Sequence, residues 1–399
     1  MSEQKRKLDI LVFADYYLPG DKAGGPIWTL SHLVEHLGDE FRFRIITRDR
    51  DLGCGKPYPL DDPAKWHSVG KAEVRYLSPD QRSLRQIGKL LNEFPHDILY
   101  LTTLFSPCFA IKPMLFHKLG VTRNKTVIIA PMGQLSRGAL KIKACKKRGY
   151  LAIARFFRLY KDVVWQASSR YESDDIRRVF GGRDRGGSAQ PQISIAPNTS
   201  SVSPPGEDAN LVISKKPHHL RLVFLSRISP MKNLHAALKM LQGLSGTINF
   251  DLYGPIEDRK YWNGCQRLIQ SLPANIKVEY RGGVSHDDVE DLLDRYHLFF
   301  LPTLGENFAH VILEALSAGC PVLISDRTPW RNLAEKGAGW DLPLEEEERF
   351  RIVLQHCVDM DNEAMTKLSR CARKYARDYF SKDDSLELNR RLFHSAVKG

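Results

Sequence analysis

Short apolar runs alternate with stretches of helical spacing along nearly the whole chain. Residues 8–14, 41–47, 74–77, 98–101, 126–130 and 163–167 are apolar enough to predict strands buried on both faces of a sheet. Helices are expected between them at 27–37, 84–92 and 172–179, with a long polar loop at 48–68. The Gly-rich segment 181–192 and the Ser/Pro-rich segment 198–208 then break the pattern and place a linker near 197–219. Beyond it the alternation resumes, with strands at 221–225, 248–253, 276–280, 298–301 and 321–324 and helices at 233–241, 261–271 and 286–296. Ser285 with Asp288 reads as a capping box for the last of these, and Thr328 as the cap of a short helix. Helices near 344–357, 362–379 and 382–397 close the chain. Two successive alternations predict two doubly wound α/β domains.

The stretch 303–325, TLGENFAHVILEALSAGCPVLIS, organises the second alternation. The strand 298–301 runs into Pro302, and Gly305 frees the backbone. Glu306 is expected at the mouth of a helix that reaches Ala318 and buries Val311, Ile312, Ala315 and Leu316. A helix start at the carboxyl end of a parallel strand is where such sheets hold anions. Two carboxylates, Glu306 and Glu314, lie on that entry. Upstream, Arg227 and Lys232 flank the turn after the strand 221–225, and two fixed cations can neutralise a diphosphate. Tyr253-Gly254-Pro255 and Arg281-Gly282-Gly283 end two further strands on the same rim.

Composition narrows the class. A chain of 399 residues, 42% hydrophobic and 27% charged, suits two soluble globular domains. The first residues carry charge but no long apolar core, so no secretory signal is expected, and the most apolar stretch, 98–111, is too short to cross a bilayer. Seven cysteines with no C-x-x-C pair read as free thiols of a reducing cytosol. The net charge of +12 is uneven: residues 1–200 hold 33 Lys+Arg against 20 Asp+Glu, and the remainder 26 against 27. No acidic residue lies between Asp97 and Asp162. That gap contains Lys141, Lys143, Lys146, Lys147 and Arg148, followed by the apolar-basic run 151–160, a pattern suited to a face on anionic lipid. A solvated basic face is the plain alternative. Nucleic acid is disfavoured, because 141–148 has no aromatic residue interleaved with its charges.

The E-x₇-E of Glu306 and Glu314 inside GENFAHVILEAL, with FLSRISPMKNL, LYGPIED and RGGVSHDDV, resembles the retaining GT-B glycosyltransferases of family 4 (glycosyl transferases group 1). YYLPGDKAGGPIWTLSHLVEHLG is similar to that family's glycine loop and first helix. ITRDRDLG and APMGQLSRGALKIKACKK resemble its bacterial heteropolysaccharide and exopolysaccharide branch. The resemblance runs from about Ile10 to Tyr379. It implies an α/β GT-B fold, two Rossmann-like domains with parallel sheets facing across a cleft. Residues 1–200 would bind the acceptor and 201–378 the nucleotide-sugar donor, with 379–399 crossing back as a helix toward the first domain.

The implied activity is retaining transfer from a UDP- or GDP-linked sugar to a hydroxyl of a lipid-linked or oligosaccharide acceptor in cell-surface polysaccharide biosynthesis. No metal or other cofactor is implied. The setting would be cytoplasmic, peripheral at the inner face of the cell membrane and against its anionic surface. Glu314 is implied to hold the ribose hydroxyls. Glu306 would stand at the donor sugar with the backbone N–H groups of Asn307, Phe308 and Ala309, and Arg227 and Lys232 would neutralise the departing diphosphate. Gly254 would belong to the donor rim, Val284 would meet the base through its backbone, and Gly24 and Gly25 would let a loop approach the donor phosphate. The chain departs from the family at Ala309, often Gly in relatives, at Met132, often Arg, and at Thr102–Ser106, where relatives place a His. Plainer readings exist for Glu306, favourable in any first helical turn, and for Gly24-Gly25-Pro26, a simple turn. Asp49-Arg50-Asp51 has the D-x-D spacing of metal-dependent transferases but lies in the wrong domain, and is read as coincidence. A nucleotide-sugar epimerase is the rival chemistry on this fold.

Overall fold

The computed structural model describes residues 6–62, 65–122, 125–181, 190–200, 204–206 and 214–397. The chain forms two compact units, Met1–Ser201 with Asp384–Gly399, and Val202–Asp383. Much of the predicted break, at 182–189, 201–203 and 207–213, lies outside the described residues.

The first unit is built on an eight-stranded sheet of order β3-β4-β2-β1-β5-β6-β7-β8. Its strands are β1 (Leu8–Phe13), β2 (Phe41–Arg48), β3 (Trp66–Val69), β4 (Ala72–Leu77), β5 (Ile98–Leu101), β6 (Thr126–Ile129), β7 (Val163–Ala167) and β8 (Gln192–Ile195). Neighbours pair in parallel except β3, which turns back antiparallel on β4. Strand β3 falls at the end of the expected loop, and β8 between the two segments expected to break the pattern. Both are short, half-exposed edges that mix apolar and polar residues, without the apolar run that marks a central strand. Helices Lys112–Lys118, Arg137–Lys141 and Ala144–Phe156 are likewise additional to the expected ones.

The helix Ser385–Val397 belongs to this first unit. Phe393 packs edge-on against Phe41, Phe43 and Tyr100 with ring centroids 5.4, 6.1 and 5.6 Å apart. A buried polar chain fixes its register: Tyr100 donates to Gln166 at 2.7 Å, Gln166 Nε2 to Asn389 at 2.9 Å, and Asn389 Nδ2 to the Pro197 carbonyl at 2.8 Å. Every member has a partner, so the buried amides stabilise one packing rather than penalise it.

The second unit holds a six-stranded, all-parallel sheet of order β11-β10-β9-β12-β13-β14. The strands are β9 (His219–Leu225), β10 (Thr247–Tyr253), β11 (Ile276–Gly282), β12 (Leu298–Leu301), β13 (Val322–Ser325) and β14 (Gly339–Leu342). This is the doubly wound order that reverses between β9 and β12, which leaves a crevice at their carboxyl ends. The helices Leu234–Met240, Arg259–Gln270, His310–Ser317, Glu347–Asp359 and Asn362–Phe380 complete the unit. Two local expectations fail here. Ser285 makes no capping bond, and a 3₁₀ turn His286–Asp288 precedes the short helix Val289–Leu293. Thr328 caps no helix; its hydroxyl accepts from the Trp330 amide at 3.2 Å and closes a turn.

Candidate active site

The reversal between β9 and β12 is where the charged residues of the second unit gather. The two strands pair through Leu298 with Leu222 and Phe299 with Val223. Their outgoing loops are then tied together. Leu304 donates its amide to the Met231 carbonyl at 2.8 Å, and Asn233, held at φ 59°, donates from Nδ2 to the Pro302 carbonyl at 2.9 Å. Within that frame Lys232 Nζ reaches Glu306 Oε1 at 2.7 Å, with side chains only 12% and 9% exposed. The same oxygen lies 2.9 Å from the hydroxyl of fully buried Thr303. A pair so far removed from water is held in one geometry, and losing either member would strand a charge.

Arg227 is differently placed. Its guanidinium meets Glu257, from the loop after β10, at 2.9 Å, and the two side chains are 34% and 37% exposed. Exposed pairs of this kind are worth about 0–1 kcal/mol. An arriving anion can therefore take Arg227 from Glu257 at little cost, whereas Lys232 is fixed. Glu257 was not singled out in the sequence, because a loop residue 30 positions from its partner leaves no periodic signal.

Gly254 explains how the two loops come so close. Its φ is +124°, and a Cβ there would lie 2.1 Å from the Ser226 carbonyl oxygen. Its amide donates to Gly282 at 2.7 Å, which joins the loop after β11 to the same rim. Val284 follows that loop and packs partly buried against the core.

The helix expected from Glu306 begins four residues later, at His310. Glu306 therefore stands in the loop, and its position comes from Lys232, Thr303 and its own amide, which donates to the Arg327 carbonyl at 2.9 Å. Ala309 occupies the N-cap in the left-handed region, φ 60° and ψ 71°, and supplies no side-chain cap. Ala309 itself thus puts no side-chain acceptor on the first turn, and a helix start is a position that can take an anion. From behind, Trp330 Nε1 donates to the Phe308 carbonyl at 2.6 Å, and Phe308, Trp330 and Tyr379 pack together. Phe308 is an anchor buried in this cluster, and Asn307 lies beside it in the loop. Val311 is partly buried, while His310, Leu313 and Ser317 join Ile312, Ala315 and Leu316 inside.

Glu314 projects from mid-helix with its side chain 12% exposed. His286 Nδ1 lies 3.8 Å from its carboxylate, beyond hydrogen-bond range. Burial pushes the Glu314 carboxyl up to about 7, and burial lowers His286. His286, which follows the loop after β11, is a site residue that sequence reasoning missed.

In the first unit, Gly24 adopts φ 73° and ψ −140°, open to Gly and almost nothing else, and turns the chain into the helix Gly25–Leu37. Lys141, Lys143, Lys146 and Arg148 are exposed around the helices Arg137–Lys141 and Ala144–Phe156. Lys147 does not belong with them. Its ammonium donates to the Ala139 carbonyl at 2.7 Å, lies over the Phe105 ring and is lowered in pKa by burial. The D-x-D carboxylates do not converge: Asp49 is held by Arg50 and Arg82, and Asp51 accepts from the amides of Asp21 and Lys22.

The rim of the second unit coincides with a known sequence family. Residues 211–351 match the family model described as Glycosyl transferases group 1. The chain thus carries a glycosyltransferase family domain. Among curated proteins it is similar to the O-antigen chain mannosyltransferase RfbU of Salmonella typhimurium (strain LT2), 22% identical over 149 residues. That alignment covers 37% of this chain and 41% of the relative. Among solved structures, HepE of Anabaena in complex with UDP and glucose superposes with a TM-score of 0.66 at 16% identity, over 98% of this chain and 100% of that one. Sucrose-phosphate synthase from Thermosynechococcus elongatus gives 0.68 at 16% identity, again over 98% and 100%. The fold is GT-B.

Proposed function

We propose that the protein transfers a glycosyl group from a nucleoside-diphosphate sugar, UDP- or GDP-linked, to a hydroxyl of a glycan acceptor, with retention of the anomeric configuration. The observation that carries this reading is the buried Lys232–Glu306 pair at the β9/β12 reversal, with Arg227 beside it, inside the segment that matches the group 1 model. Departure of a diphosphate builds negative charge, and cations held in place before the reaction stabilise that charge without reorganising. Lys232 and Arg227 take that part. Glu306 orients Lys232 and faces the donor sugar, and Glu314 accepts from the ribose hydroxyls. The uncapped first turn at His310 offers backbone donors to the same diphosphate. No metal is needed where two cations serve the leaving group.

The acceptor in this reading is lipid-linked, and the enzyme works peripherally at the cytoplasmic face of a membrane in cell-surface polysaccharide assembly. What supports it is the exposure of Ile153, Phe156 and Phe157, at 59%, 81% and 62%, among exposed Lys146, Arg148, Arg155 and Arg158. Aromatic side chains inside a cationic face are suited to anionic headgroups. Among the described residues no helix is long and apolar enough to cross a membrane. The experiment is a panel of UDP- and GDP-sugars, scored for nucleoside diphosphate release with and without EDTA and for the anomeric configuration of the product. Release from at least one donor, insensitive to EDTA and with retention, is expected; no release from any donor would refute the assignment.

A further inference from the structure

The two carboxylates of the second unit's rim are buried alike and supplied differently. Glu306 has the Lys232 ammonium and the Thr303 hydroxyl on one oxygen. Glu314, with a side chain 12% exposed, accepts no hydrogen bond from the described residues. A carboxylate removed from water without donors is unfavourable as the anion, and burial pushes the Glu314 carboxyl up to about 7. The ionisable group that meets it comes from another element. His286 opens the 3₁₀ turn after β11, and its Nδ1 lies 3.8 Å from Glu314 Oε1 with a side chain 24% exposed.

The other charges packed around the helix His310–Ser317 are turned elsewhere. On the helix itself His310, one turn before Glu314, sets its ring 4.7 Å from that of Phe308. The helix Asn362–Phe380 buries Ser369, Ala372 and Ala376, and its Arg373 donates to the Ala318 carbonyl at 3.2 Å while facing Glu290 and Asp294. Asp287, Asp288, Glu290 and Asp291 point to solvent, and β13 brings only Val322, Leu323, Ile324 and Ser325. On the rim, Lys232 is held by Glu306 and Arg227 by Glu257. Among the described residues, His286 is thus the one cationic partner within 4.0 Å of Glu314. Burial lowers the His286 imidazole, and the charge of Asp287 works against that. Without a ligand, the proton of the pair therefore sits on the carboxyl.

We propose that His286 is a positioning residue that takes up the proton Glu314 gives up when a nucleoside binds, so that binding does not weaken in mildly acidic solution. The proposal rests on the reading of Glu314 as the acceptor of the ribose hydroxyls. A carboxylate accepts from two hydroxyls through two oxygens, whereas a protonated carboxyl has one free oxygen and must itself donate. Ribose therefore selects the anion, and an O–H bond on Glu314 breaks. An N–H bond forms on the imidazole nitrogen that lacks one, and the resulting imidazolium stands beside the new carboxylate. No proton is then lost to solvent. The exchange needs no direct bond across 3.8 Å, because both side chains reach water and only the number of bound protons enters the equilibrium.

Calorimetric titration of UDP and GDP onto the full chain and its His286→Gln variant, at pH 8 and pH 6, tests it. Ionisation of the nucleotide's own phosphate is common to both proteins and cancels in the ratio of their dissociation constants. That ratio should stay within about twofold at pH 8 and reach about tenfold at pH 6, where the variant must release the proton to solvent. Repeating the pH 6 titrations in buffers of different ionisation enthalpy counts the protons, and the variant should release about one more per nucleotide than wild type. A weakening that is the same at both pH values, as a merely structural histidine would give, overturns the proposal, and so does equal proton release. His286→Asn, read in the same way, takes the place of His286→Gln if a melt shows that chain unfolded. Failure of both nucleotides to bind wild type overturns the donor reading and the proposal with it, whereas binding with a pH-independent ratio overturns the proposal alone.

Discussion

Ala309 holds a backbone conformation that L-residues avoid. The left-handed region costs about 1–2 kcal/mol for a residue with a Cβ, and glycine escapes that cost. Ala309→Gly should therefore stabilise the protein by about 1 kcal/mol, although the same change in ordinary helix destabilises by a similar amount; urea melts would show the sign. Glu314 makes a second prediction at this scale. Between its ordinary value of 4.5 and about 7, the folded chain keeps a proton that the unfolded chain has released. Stability should thus fall as pH rises through that window, by up to about 3 kcal/mol from this group. Buried histidines such as His286 and His297, lowered by burial, act in the opposite sense at and below pH 6.5. Urea melts at pH 5 and pH 8 on wild type and Glu314→Gln isolate the carboxyl, and the substituted chain should show the shallower fall.

Among the elements, the loops after β9, β10 and β12 act as one body because a backbone approach and a buried ion pair lock them. Gly254→Ala would drive a Cβ into the Ser226 carbonyl and is expected to lower Tm and weaken nucleoside diphosphate binding together. Lys232→Met strands Glu306 and should destabilise by about 3–5 kcal/mol, most of which the added Glu306→Gln should restore. Glu257→Gln, by contrast, frees an exposed Arg227 and should leave stability within about 0.5 kcal/mol while nucleoside diphosphate binds somewhat tighter. These differences explain what the sequence disclosed. The central strands were legible because burial on both faces writes continuous apolar runs, as at 98–101 and 298–301. Strand β3 was not, since an edge hairpin needs no such run. The start at His310 was hidden because the left-handed turn at Ala309 leaves the helical periodicity of GENFAHVILEAL unbroken. Arg227, Lys232 and Glu306 could be placed on one rim, but Glu257, the partner of Arg227, comes from a loop brought beside it only by sheet order.

For the whole molecule, positive charge and exposed aromatic surface concentrate in the first unit, and the rim proposed to bind the nucleoside diphosphate lies in the second. If the exposed Phe156 and Phe157 enter a bilayer interface, each can contribute up to about 1.5–3 kcal/mol, with the surrounding arginines adding a salt-sensitive part. Flotation should recover the protein with vesicles rich in phosphatidylglycerol but not with phosphatidylcholine alone, and Phe156→Ser with Phe157→Ser should abolish recovery. Recovery unchanged in that variant would remove the aromatic pair from the membrane reading and leave at most the lysines and arginines. The central claim, a nucleoside-diphosphate site on the β9/β12 rim, has a more direct test in calorimetric titration of UDP and GDP onto wild type and Lys232→Ala. One of the two nucleotides should bind wild type with a single site and bind Lys232→Ala at least about tenfold more weakly, the substituted chain being checked for folding by its melt. Equal affinity in the two proteins, or binding of neither nucleotide to wild type, would contradict it.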